Sequence, residues 1–337
     1  MLSKYLLILI LGLPTVLWAQ FTTSYGLNAG TNGFQNAFYG VQSGFAINGT
    51  GNYNLGNGAY ALRNLTTGDY NSGIGYNALN KITTQSHNVA IGAFALYHNT
   101  NSYNVAVGSR ALYANTTGYH NTSVGYRALY QNTTARSNTA LGYRALYETT
   151  TGSENTAVGK EALYANTTGV LNTAHGALAL RSNQTGFLNT AVGHQALFSN
   201  QGGNSNVAMG NNAMFSNVNG GSQVAIGNGA LSSSSIGNGN TAVGANAMDD
   251  FIGGDHNVAL GRNALFHVLA GNDNVAIGNN SGGSSRAGYD NSIAIGADCR
   301  FDDSDQVRVG NSLTYSIGGP LGWTNISAAR FKKDIQE

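Results

Sequence analysis

The residues of this chain that could do chemistry are few, and their spacing argues against a shared centre. His87, His120 and His256 each stand five residues before a recurring glycine, but in widely separated stretches, so they cannot meet one metal within a chain. His98, His175, His194 and His267 are scattered. Zinc needs about four convergent ligands, so no metal and no other cofactor is expected. Glycoside hydrolysis needs an acid pair across a cleft, whereas Asp249-Asp250 and Asp302-Asp303 read as solvated loop residues. The Gly-rich calcium nonapeptide is absent, and Gly237–Gly239 has no βαβ context for phosphate binding. Cys299, the one cysteine, excludes an intrachain disulfide and a Cys-based metal site; it reads as a filler of a small-residue slot. Arg110, Arg127 and Arg144 fall two residues after the recurring glycine. An outward solvated stripe is the favoured reading of this column, with anion binding as the alternative.

What must position these residues is a repeat. Glycine returns at Gly58, Gly75, Gly92, Gly108, Gly125, Gly142, Gly159, Gly176, Gly193, Gly210, Gly227, Gly244, Gly261, Gly278 and Gly296, almost always at a 17-residue step. With that glycine as position 0, position +3 is Ala (Ala61 to Ala264) and +4 is Leu or Met (Leu62 to Leu265). Position −1 is β-branched or aliphatic, as in Ile91, Val124 and Val158, and position −4 is Asn in most copies, as in Asn88 and Asn155. Seventeen residues are too few for the helical hairpins of common repeats, which need about 34. They suit one coil of an all-β parallel β-solenoid, or β-roll, with two short strands joined by Asn- and Gly-rich turns. Like residues then stack about 4.8 Å apart, giving about 70 Å of rod over the glycine series. That spacing also explains why charged residues are only 9%: a column of like charges would repel itself, whereas Asn and Thr hydrogen-bond along it.

Positions +3 and +4 are adjacent, so on a strand they face opposite ways, yet both are apolar, and the Ala-Val pair just before the glycine repeats this signature, as in Ala157-Val158 and Ala191-Val192. The favoured reading is a second buried surface shared with other copies of the chain; the alternative is a tight turn that points both inward. An aromatic column follows at +5 (Tyr97, Tyr113, Tyr130, Tyr147, Tyr164, Phe198, Phe215, Phe266). Cross-coil stacking is the favoured reading, and a face for glycans the alternative.

Lys4, the apolar run Tyr5 to Leu17 and Trp18-Ala19-Gln20 read as a signal peptide cleaved after Ala19. The run is shorter than the roughly 20 residues needed to span a bilayer, and no transmembrane segment is expected in the mature chain. A net charge of +1 gives no reason to expect nucleic acid as a partner. The expected organisation is a signal peptide (1–19), an N-terminal segment (20–35), the repeat domain (36–299), a connector (300–326) and a short C-terminal piece (327–337).

Two resemblances add to this. The strings Asn-Val-Ala-Ile-Gly at Asn88–Gly92 and Asn274–Gly278, and Asn-Thr-Ala-Val-Gly elsewhere, resemble the head repeats of trimeric autotransporter adhesins. That likeness implies a left-handed parallel β-roll, trimerised through an apolar face. Ser327-Ala328-Ala329-Arg330-Phe331-Lys332-Lys333-Asp334-Ile335 resembles the opening of the intramolecular chaperone domain of endosialidase-type phage tail spikes. It implies Ser327 as self-cleavage nucleophile and Lys332 as its base if that domain is complete; as given, residues 327–337 read as its truncated start. Together these readings lead to a secreted or cell-surface, non-enzymatic homotrimeric fibre or adhesin, with itself and surface glycans as partners. The rivals are an ice-binding β-solenoid, suggested by Thr at −3 (Thr122, Thr139, Thr156, Thr173, Thr190, Thr241), and a phage-type tail fibre or glycan-binding spike.

Overall fold

Each coil contributes a three-residue strand that ends just before its glycine, as in Thr139–Leu141 and Thr156–Val158. Parallel pairing sets Thr139 beside Thr156, Ala140 beside Ala157 and Leu141 beside Val158, so like stacks on like at a full-coil offset. In this computed structural model, residues 23–26, 30, 35–48 and 50–314 are described. They form an all-β parallel solenoid whose single long sheet has 18 strands, from Thr23–Tyr25 to Val307–Val309. A second, two-stranded sheet joins Gly282–Gly283 to Arg300–Phe301. The signal segment and the Ser327/Lys332 motif lie outside the described residues.

The coil differs from the expected pair of strands. One strand per turn suffices because the backbone ladder continues around the turns: Gly142 N–H donates to Val124 O (2.8 Å), Arg144 N–H to Tyr126 O (3.0 Å) and Leu146 N–H to Ala162 O (3.0 Å). Left-handed residues at +2 and +4 bend the chain, with φ of 53° at Arg144 and 52° at Leu146. The bend corrects the favoured reading of positions +3 and +4. Both Ala145 and Leu146 point inward and are 0% exposed in a single chain, as are their counterparts in nearly every coil. A left-handed leucine costs about 1–2 kcal/mol; burying its side chain returns about 1.5–3 kcal/mol, and packing holds the turn. The inferred apolar surface shared between copies therefore does not lie at these positions.

Position 0 needs glycine for two reasons. Gly159 has φ +134°, and a Cβ there would sit 2.5 Å from Gly176 O of the next coil. Inside, the −2 alanines join the +3 and +4 columns, beside two buried amide ladders. In the first, Asn155 N–H donates to Asn138 Oδ1 (2.9 Å) while Asn155 Nδ2 donates to Gly169 O (2.9 Å); the ladder runs from Asn54 to Asn274, broken at Gln223, whose side chain donates instead to Asn217 Oδ1. The second runs at +7 through Asn99, Asn115 and Asn132, then from Asn166 to Asn217. Thr149 interrupts it, and Thr149 Oγ1 and Asn132 Oδ1 are both buried without a partner. Towards the two ends this column turns apolar: Ile47, Leu65 and Ile82 at one, Phe251 and Val268 at the other.

Candidate functional site

Three outward surfaces carry the side chains that could meet a partner. The first is the outer face of the sheet. In the three-residue strands from Ala37–Tyr39 to Ile293–Ile295 the middle residue is buried and its neighbours face out, so positions −3 and −1 form two parallel columns. The −1 column includes Ile91, Leu141, Met209, Ile226, Leu260, Ile277 and Ile295, between 37% and 47% exposed. The −3 column holds valine at Val89, Val105, Val207, Val224, Val258 and Val275 and threonine between Thr122 and Thr190. The sequence reading looked for the outward apolar face in the +3/+4 pair and in the Ala-Val pair at −2/−1; of these only the −1 member faces out, and the −3 column was missed. The period-2 alternation of Val-Ala-Ile was the signal that marks −3 and −1 as the outer pair.

The second surface is the edge formed by +1, +2, +5 and +6. The rings of Tyr97, Tyr113, Tyr130, Tyr147 and Tyr164 stack face to face, with centroids 5.1–5.6 Å apart and planes within 9°. Phe198 and Phe215 continue the motif at 5.1 Å. The column is thus cross-coil stacking, and its ring faces are taken up by one another. Arginines insert beside it: the Arg127 guanidinium lies 5.2 Å from the Tyr126 ring and 5.4 Å from Tyr130. Arg144 lies 5.1 Å from Tyr143 and 5.5 Å from Tyr147. The sequence-noted column Arg110, Arg127, Arg144 is therefore brought together on successive coils, half-buried against aromatic rings. Burial and nearby Glu148 push the Tyr164 phenol up from 10.0. Burial, then Lys81, pulls the His98 imidazole down from 6.5.

The third surface is the −5 corner, where Tyr53, Tyr70, His87 and Tyr103 stack at 4.8–5.1 Å. The sequence reading singled out the histidines at −5 and passed over the tyrosines at the same position, which the glycine spacing could have found. His120 stands tilted against Tyr103 at 5.5 Å. His256 is far along the rod, 3.7 Å from Asp273. Among the described residues no three His, Cys, Asp or Glu side chains are grouped to hold a metal ion. Nor, among them, is any helix long and apolar enough to cross a membrane. Cys299 is buried, its Sγ 3.3 Å from Arg308 O. Asp250 pairs with Arg286 at 2.8 Å. Asp302 accepts from Gln306 and Arg308, which hold its carboxyl below the usual 3.8. No protein-family model matches the chain, and no curated protein is similar to it. The fold alone therefore defines its class, a parallel β-solenoid repeat protein.

Proposed function

We propose that this chain is a non-enzymatic structural fibre or adhesin element, secreted or displayed at a cell surface. Copies associate side by side through the outer face of the sheet, as three left-handed coils, a reading that the adhesin-head resemblance supports. The observation that carries this reading is the outward −1 column, aliphatic from Ile91 to Ile295 except at His175, flanked at −3 by Val or Ile in seven of these thirteen coils and by Thr in the other six, and unpartnered in a single chain. Soluble monomers rarely leave so long an aliphatic strip in water, and a symmetric assembly closes it. The scarcity of charge, the stacked amides and the short period suit a stiff rod that acts by shape and length.

The mass of the mature rod in solution tests the reading. A trimer is expected, and a stable, soluble monomer at micromolar concentration sinks it. Val158→Lys with Val192→Lys places charges on the outer face without touching the interior. This double variant is expected to shift the mass toward monomer while leaving the coil fold intact.

A further inference from the structure

The Arg–Tyr edge gives the attachment reading above, on which its biological setting rests, a specific ligand chemistry. Cations line this edge in five of the six coils that begin at Gly58, Gly75, Gly92, Gly108, Gly125 and Gly142: Arg63, Lys81, Arg110, Arg127 and Arg144. None of the five forms an ion pair among the described residues, whereas Arg181, further along, is held by Glu161 at 3.0 Å. Carboxylates enter the edge at Glu148 and Glu161, and Asp249, Asp250 and Asp298 follow much later, so the unneutralised stretch is confined to the N-terminal half.

Two further features mark the stretch as more than a solvated stripe. Arg63 Nε, Arg127 Nε and Arg144 Nε are buried without acceptors, and Gln42 Oε1 is buried without a donor. Gln42, Arg63, Asn77, Lys81 and Tyr97 line one shallow groove at the head of the stretch. The cations are also positioned in advance: Arg63 packs 5.6 Å from Tyr60, Lys81 5.8 Å from Tyr97 and Arg110 5.9 Å from Phe94, with Arg127 and Arg144 each packed against two rings. Side chains already held need little further ordering when a ligand arrives.

We infer that this edge binds a linear anionic polysaccharide, carboxylated or sulfated, laid along the rod with its charges in step with successive coils. Coils stack at about 4.8 Å per turn, which asks for a polymer with roughly one charge per sugar rather than one per bond. Nucleic acid fits less well. Single strands are held by stacking bases on open aromatic faces, and here the tyrosine faces are occupied by one another. Duplex DNA carries a charge every 1.7 Å or so, far denser than this row.

Full-length chain titrated with polygalacturonate, dextran sulfate and neutral dextran at low and raised salt tests the inference. Binding to at least one of the charged polymers, weakening as salt rises, is expected, with none to dextran. R110Q/R127Q/R144Q should lose about tenfold or more in affinity with its melting temperature unchanged, and R110K/R127K/R144K, which keeps the charge, should retain most of the binding. Absence of binding at low salt, equal binding to dextran, or wild-type affinity in the glutamine variant overturns it. Tighter binding to single-stranded DNA than to either anionic polymer also overturns it. The native mass of the same samples separates the two readings: a polymer-binding monomer removes only the assembly, and a trimer that ignores both polymers removes only the ligand.

Discussion

Leu146 shows how much a single side chain decides here. Its backbone is left-handed and its side chain wholly buried, so Leu146→Ala removes the burial while leaving much of the strain. A loss of about 2–5 kcal/mol in denaturant unfolding is expected; a change within error would refute the account of the turn. The opposite sign is expected at Thr149, where Asn132 Oδ1 waits for a donor. Thr149→Asn should restore the ladder and stabilise by about 1 kcal/mol, read as a higher denaturation midpoint; a lower midpoint counts against it. At His98, burial and then Lys81 disfavour the charged ring. The folded pKa is lowered, so this group's contribution is full above the ordinary 6.5 and is lost as pH falls through the depressed value. An NMR titration should place His98 below 6.5, and Lys81→Gln should recover only part of the shift, because desolvation is the larger cause.

At the scale of the element, the periodic residues were legible and the turn was not. Gly, Ala, Asn and Val recur at fixed steps because each position has one stacked neighbour, and that alone yields the parallel solenoid, the glycine contact and the tyrosine stack. The inward leucine was not readable. Leucine carries no sign of a left-handed backbone, whereas Asn212, Asn246, Asn263 and Asn280 at +2 do carry one, since Asn tolerates that region. Treating +3 and +4 as a strand pair therefore turned the leucine column outward and added an association surface that the fold does not have, beside the Ala-Val pairs, whose −1 valines do face out. The guanidinium–ring contacts were equally hidden, because they join +2 to +1 and +5 around a bend that no alternation rule describes.

For the whole molecule, energy flows only between adjacent coils, and stability is close to a sum of repeat and interface terms. Excising residues 177–193, one full period between Gly176 and Gly193, should leave a cooperative, folded rod about 5 Å shorter, measurable by small-angle scattering. Excising only residues 177–185 leaves the columns out of step and should abolish cooperative unfolding. Recovery of a normal melt by the shorter excision would contradict the nearest-neighbour picture.

Interchangeable rungs invite a particular error, since a strand can settle on the wrong copy and lose only one rung's worth of contact. The change of filling along the +7 column guards against this. Ile47, Leu65 and Ile82 at one end, and Phe251 and Val268 at the other, do not match the amides that occupy the middle. A mis-stepped chain would press a hydrocarbon against a buried carboxamide at the first boundary and, beyond Ser234, at the second. The two termini of the core thus serve as address labels, and a variant that made the column asparagine throughout should be prone to swapping between chains.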